Sequence, residues 1–469
     1  MTRHAGRGRL ARVFAGFAAV VTAVALAGCG GGSAGEEGNL EAVGADVLEK
    51  VDGKVTVEFW HSMKGANAEA LNQLVSDFNS SQDKVEVKPL FKGDYDETLA
   101  AYKQSVQRKS TPELVQIYDI GTRFMVDSKQ IVPMYKFIEL DKFSTDDIEP
   151  NIANYYQLDG KLWSMPFNSS TPLLYINADA FRKAGLDPNK PPRTLDEITE
   201  YAKKLTIKGP DGKVVQYGFN AAIYGWLLEQ LLATAGVEYC DKGNGREGHA
   251  TKVLFDSPEA VKIAEWWHDM VKNGWASNTG RKTDDAQAAF KSGTVAMHLE
   301  STSVLRGYVE AAEGKFTVAT APFPKLDADS PGGTIIGGAS LWINGVGHTD
   351  AEKRGAWEFV KFALQPEQQA AWHVGTGYVP VNRKALDLPE DKEWVEKYPQ
   401  FTSAVDQLHA TEPSVATAGC ILGVMPEARK ASEDGLEQSI LGTKPAQEAM
   451  ADAAAAVKKE IEKYNKSVQ

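Results

Sequence analysis

Val55, Val57 and Phe59 alternate with polar neighbours, the period-two pattern of a strand. Leu71, Leu74, Val75 and Phe78 then recur at i, i+3, i+4 and i+7, which is one face of a helix. A short strand at Val85–Val87, a helix marked by Leu99, Tyr102 and Val106, and a strand at Leu114–Tyr118 follow. This β-α-β-α-β order predicts a parallel sheet with right-handed crossovers. Ligands of such sheets bind beyond the carboxyl ends of the strands. Asp119, at the end of its strand, and Tyr95, after the Val85 strand, are cleft candidates on topology alone. Downstream, helices are predicted over Pro191–Lys204 (entered through Thr194), Pro258–Asn273, around Trp357 and Val360, and over Ala446–Tyr464, with an apolar strand at Gly338–Asn344. No repeat of 20–50 residues is visible, which excludes solenoids and propellers.

The segment ahead of the first strand has a different character. Residues 1–28 carry four arginines (Arg3, Arg7, Arg9, Arg12), no acid and an apolar run Val13–Leu26, the layout of a signal peptide. The run ends in Leu26-Ala27-Gly28-Cys29, a lipobox pattern in which Cys29 would carry the lipid. Residues 29–53 are expected to be a lipidated flexible tether, and the protein an extracytoplasmic lipoprotein on the outer face of the cell membrane. The other cysteines, Cys240 and Cys420, form an even pair in an oxidising location; a disulfide and two separate buried thiols both stay open.

The chain has 469 residues, 43% hydrophobic and 24% charged, which is ample for a core and excludes wholesale disorder. A net charge of −12 argues against a broad basic face for nucleic acid. An anionic small ligand stays open, because one well-placed Arg can hold a phosphate. Catalytic motifs are weak. Gly31-Gly32-Ser33-Ala34-Gly35 fits G-x-S-x-G but lies in the tether, without a strand before it or a helix after. Gly243–Gly248 fits G-x-G-x-x-G but carries Arg246 and Glu247 where a tight strand-to-helix turn is needed, so it reads as a solvent loop. The eight histidines show no metal-ligand spacing, and no metal or cofactor is expected.

Six ordered motifs carry a resemblance. They are Trp60-His61-Ser62-Met63, Lys92-Gly93-Asp94-Tyr95, Gln116-Ile117-Tyr118-Asp119, Pro166–Pro172, Ile335–Trp342 and Thr376–Pro380. From Val55 to Lys463 the chain resembles the extracellular solute-binding protein family 1, and within it the glycerol-phosphate-binding branch that serves Ugp-type ABC importers. The resemblance implies a two-lobed α/β periplasmic-binding-protein fold (type II), each lobe a mainly parallel sheet flanked by helices and joined by hinge strands. Lobe I would comprise 54–167 and 334–376, lobe II 168–333 and 377–465. It further implies a monomeric, non-enzymatic protein that hands a phosphorylated polyol to an ABC permease with cytoplasmic ATPase subunits.

Carried over residue by residue, the family's ligand contacts fall on Tyr95, Asp119, Ser170, Trp226, Ser301, Gly338, Tyr378 and Arg429. Arg429 offers a planar fork for phosphate oxygens. Ser301 would open a helix over Ser301–Ala311, whose free N–H groups favour an anion. Gly338 would let a backbone N–H approach the ligand, and Trp226 would wall the glycerol carbons. Two departures from the family pattern enlarge the expected pocket: Asp119 stands where Glu is usual, and Ile223 replaces the first of two pocket indoles. A roomier site points to glycerophosphodiesters, glycerophosphocholine above all, over glycerol-3-phosphate. The rival readings are an oligosaccharide-binding protein and a secreted phosphodiester hydrolase.

Overall fold

The structure, a computed structural model, describes residues 40–468. The signal segment, Cys29 and the G-x-S-x-G match at 31–35 lie outside the described residues. Residues 40–53, placed in the tether by composition, are folded against the body. Ala45–Lys50 is a 3-10 helix with Leu48 buried, Val43 O accepts from Arg354 Nη1 at 3.2 Å, and Leu40 O accepts from Lys136 Nζ.

In chain order the strands are β1 Val55–His61, β2 Val85–Phe91, β3 Leu114–Tyr118, β4 Ile131–Val132, β5 Gln157–Leu158, β6 Lys161–Leu162 and β7 Met165–Ser170. They continue with β8 Pro172–Asn177, β9 Ile207–Lys208, β10 Val214–Asn220, β11 Ala276–Ser277, β12 Val295–Ser301, β13 Val318–Pro322 and β14 Gly337–Asn344. Two six-stranded sheets form the lobes. The first runs β2-β1-β3-β14-β4 with β7 also on β14, the second β11-β10-β12-β8-β13 with β9 on β10. The expected parallel pairing is present in β2-β1-β3 and β11-β10-β12. The other half of each sheet is antiparallel, because β7, β8, β13 and β14 carry the chain back and forth between lobes. Such return strands have no local sequence signature distinguishing them from βαβ strands.

Burial follows the hydrophobic pattern. Leu71, Leu74, Val75 and Phe78 are the buried face of helix Gly65–Ser81. Helices Tyr95–Arg108 and Asp350–Ala363 complete the cover of the first sheet, and Leu195–Leu205 and Pro258–Lys272 cover the second. Thr194 does cap its helix, accepting from Glu197 N at 3.2 Å. The chain passes between sheets at Thr171, across 323–336, and near Pro399, where Thr320 Oγ1 of β13 donates to Gln400 O at 2.9 Å. The segment 377–398, assigned to lobe II from sequence, packs on the first lobe: Glu149 N donates to Val381 O and Arg383 N to Asp147 O, both at 2.9 Å.

Cys240 and Cys420 form a disulfide with Sγ atoms 2.09 Å apart. It fastens the 411–424 loop, which leads into helix Met425–Ile440, to the second lobe. Arg246, from the Gly-rich turn, donates to Gly419 O and Ala418 O of that loop and to Asn154 O, Tyr155 O and Gln157 O of the first lobe. Its five acceptors are backbone carbonyls. The G-x-G-x-x-G match, read as a solvent loop, is thus a tight turn with left-handed backbone at Gly243 and Asn244, and it presents a structural guanidinium to its neighbours.

The second lobe encloses a neutral histidine. His298 is fully buried, bonds Asn220 Oδ1 through Nδ1 at 2.7 Å, and lies among the rings of Phe290, Tyr175 and Tyr308. Burial pushes its pKa down to about 3. The unfolded chain binds this proton near pH 6.5, so the stabilisation is complete above that pH and lost as pH falls toward 3. Chemical denaturation should show His298 alone removing about 3 kcal/mol by pH 4. His298→Gln is expected to flatten that slope, and a slope as steep as the wild type's would refute the assignment.

Candidate functional site

Asp119 follows the carboxyl end of β3, Ser170 and Ser301 end β7 and β12, Gly338 lies in β14, Tyr95, Trp226 and Arg429 stand on helices Tyr95–Arg108, Gly225–Thr234 and Met425–Ile440, and Tyr378 follows helix Pro366–Thr376. Asp94 caps helix Tyr95–Arg108 with a reciprocal Glu97 bond, which sets Tyr95 at the helix start, not in a loop. Tyr95 stacks on Tyr118 with ring centroids 5.3 Å apart. Its hydroxyl accepts from Asn168 Nδ2 at 2.8 Å and lies 3.3 Å from the Tyr378 hydroxyl. Asn168 is held in turn by Gln116 Nε2, whose amide oxygen accepts from Ser62 N. Tyr378 stacks on Trp372.

Ser170 ends β7, with Gly337 as its partner on β14. Gly338 is required by the strand pairing itself: its φ is +92°, and a Cβ there would sit 1.9 Å from Asn168 O. The glycine lets β7 and β14 cross closely. Gly337 does the same for Trp226, whose Cζ2 would lie 2.7 Å from an added Cβ. Trp226 is buried with Nε1 unpartnered. Ser301 does not open an α-helix. It ends β12, a 3-10 turn Thr302–Val304 follows, and the helix runs over Leu305–Ala312. Ser301 Oγ accepts from Ser303 N at 3.2 Å, and Ser301 N donates to Glu300 Oε1 at 2.8 Å. Its neighbour Thr302 bonds Thr171 of the first pass, so Ser170 and Ser301 share one corner. Ile223 is buried on the approach to helix Gly225–Thr234.

Arg429 is buried at 4% exposure on helix Met425–Ile440, which packs on the second lobe. Its Nε donates to Glu229 Oε1 at 2.5 Å and its Nη2 to Glu229 Oε2 at 3.0 Å. Nη2 also donates to Asp119 Oδ2 of the first lobe at 2.8 Å. Nη1 is buried without a partner. The fork is therefore not free to grip an anion bidentately through Nε and Nη2; Nη1 alone remains. Burial raises the pKa of both Asp119 and Glu229, opposed by Arg429. Against the pull of burial, the same two carboxylates hold the guanidinium far above its ordinary range. Tyr224 lies under the guanidinium at 5.7 Å. Asn67 Nδ2 donates to Ser303 O at 3.2 Å across the same cleft, so the lobes touch directly. A groove of about 320 Å³ between helices Gly65–Ser81 and Pro366–Thr376 contains none of the eight residues.

Glu229 was not singled out from sequence. Its signal was an acid inside the apolar run Trp226–Leu232, where an ionised group must be paired. Among the described residues no helix is long and apolar enough to cross a membrane.

Residues 73–403 match the model of a family described as bacterial extracellular solute-binding protein. The chain belongs to this family. Among its relatives is the sn-glycerol-3-phosphate-binding periplasmic protein UgpB of Escherichia coli K12, 34% identical over 433 residues, spanning 91% of this chain and 97% of that one. UgpB of Pectobacterium atrosepticum is 35% identical over 402 residues, covering 85% and 89%. The solute-binding fold recurs in UgpB of Mycobacterium tuberculosis, solved in complex with glycerophosphocholine, with a TM-score of 0.74 and 22% identity over 88% of this chain and 100% of that one. It recurs too in the GacH receptor of Streptomyces glaucescens, solved unliganded and with acarbose, with a TM-score of 0.72 and 20% identity over 87% and 99%. The two-lobed architecture read from sequence is therefore that of solute-binding proteins.

Proposed function

We propose that this protein is the substrate-binding lipoprotein of an ABC importer, capturing a glycerophosphodiester and releasing it chemically unchanged to a permease driven by cytoplasmic ATPase subunits. Glycerophosphocholine is the preferred ligand and glycerol-3-phosphate the lesser one. Cys29 would carry the lipid that holds the protein at the outer face of the membrane. The observation that carries the ligand class is Arg429 Nη1, a charged donor buried between the lobes without a protein acceptor. A phosphate oxygen satisfies such a donor with a charge-assisted bond. Similarity to glycerol-3-phosphate-binding relatives over nine-tenths of the chain supports the same class. Ser170, Ser301, Tyr95 and Tyr378 would add hydroxyl contacts, and Trp226 and Tyr224 aromatic faces for the glycerol carbons and a choline cation. Asp119 and Ile223, both smaller than the usual residues, would make room for the head group.

Binding energy shared by two lobes shifts an open–closed equilibrium toward the closed form. Calorimetry with glycerophosphocholine, glycerol-3-phosphate and maltose tests the reading. Binding should be tightest for glycerophosphocholine, with the ligand recovered intact after prolonged incubation. Preferential maltose binding would establish the oligosaccharide reading instead, and ligand breakdown would make the protein a hydrolase.

A further inference from the structure

The guanidinium of Arg429 does not stand alone, and the balance of charge around it is unfavourable to strong anions. Asp119 and Glu229, each 4% exposed, both contact it directly. Glu433 stands on the same side, its Oε1 accepting from Gly225 N at 2.9 Å. The tyrosines facing Glu229 are Tyr155, Tyr224 and Tyr239, neutral at physiological pH. One buried cation thus meets two buried carboxylates; the third, Glu433, is close by, with Arg281 and Asp96 acting on it in opposite senses. At a buried site such an excess is scarcely screened by salt.

Resting on the glycerophosphodiester reading above, we infer that Glu229 selects ligands by charge. It takes Nε and shares Nη2, so Arg429 keeps one free nitrogen and the cluster stays net negative, which admits a phosphodiester monoanion and resists a phosphomonoester dianion. A diester carries a single negative charge, and a cationic head group cancels it. A monoester adds a second negative charge, which this cluster accommodates only by taking up a proton. The proton goes to Asp119 or Glu229, whose pKa values burial raises against the pull of Arg429, or to the monoester itself, whose second ionisation lies at about pH 6; only the share held on Glu229 disappears when that residue is neutralised. Glu229 acts through Arg429 and is a positioning and charge-setting residue.

Glu229→Gln tests this, because the amide keeps the shape and one acceptor but removes the charge. Titration calorimetry with glycerophosphocholine and glycerol-3-phosphate, each in two buffers of different ionisation heat, reads both affinity and proton uptake. The wild type should bind the diester more tightly and take up protons with the monoester only. In Glu229→Gln the diester-to-monoester affinity ratio should fall by about tenfold or more, and the proton uptake should shrink. An unchanged ratio in the folded variant overturns the inference. Should the variant fail to fold, the wild-type measurement decides alone, and binding of the monoester without proton uptake overturns it. Wild-type protein that binds neither phosphate ligand refutes the proposed function and this inference with it, whereas normal diester binding with an unmoved ratio refutes only the role of Glu229.

Discussion

Arg429→Ala is expected to weaken glycerophosphocholine binding by about 2–5 kcal/mol, roughly 30- to several-thousand-fold, because a buried charge-assisted contact is lost. The same change should destabilise the ligand-free protein. It strands Asp119 and Glu229, which Arg429 bonds at 2.5–3.0 Å in a site closed to water. Breaking a buried ion pair by removing one partner costs about 3–5 kcal/mol. Burial would then drive both carboxyls to protonate, and the stability deficit should be smaller at pH 5 than at pH 8. Calorimetry and urea unfolding at both pH values check the two effects separately. Undiminished affinity would move phosphate recognition away from Arg429, and undiminished stability would mean the triad is not the buried cluster described above.

Removing the disulfide with the double substitution Cys240→Ser, Cys420→Ser should lower unfolding free energy by about 2–5 kcal/mol, since the bridge closes a long loop and restrains the unfolded chain. The two cysteines are 180 residues apart in sequence. A functional effect accompanies it: Cys420 lies just ahead of the helix that carries Arg429, and loosening the 411–424 loop frees that helix start. Affinity for glycerophosphocholine should fall along with the denaturation midpoint. If the midpoint stays at the wild-type value under oxidising conditions, the bridge contributes nothing measurable.

Much of this architecture was legible because it is local. The period-two run at Val55, Val57 and Phe59 and the i, i+3, i+4, i+7 face at Leu71–Phe78 became β1 and helix Gly65–Ser81 with those residues buried. The strand-end rule put Asp119 beside the cleft, where it meets Arg429. The same rule pointed to Tyr95, and resemblance brought in the other six, which no local pattern singled out. What stayed hidden is nonlocal. The antiparallel return strands look like any apolar run. The Ser301 turn resembles a helix start because Ser at an N-cap serves 3-10 and α turns alike. That Asn168 O of another strand leaves no room for a side chain at Gly338 is likewise invisible along the chain. The pairing of Glu229 with Arg429 spans 200 residues of sequence and could only be seen in three dimensions.

The position of β14 has a consequence for how the chain acquires its structure. It sits between β3 and both β4 and β7, at the centre of the first sheet, yet it is encoded after every strand of the second. The amino-terminal lobe therefore cannot finish its own sheet until some 340 residues have been made. Until then β3 exposes an unpaired edge, the kind of surface that invites aggregation. High contact order of this kind slows folding, so the newly made chain has to be shielded until its late strand arrives.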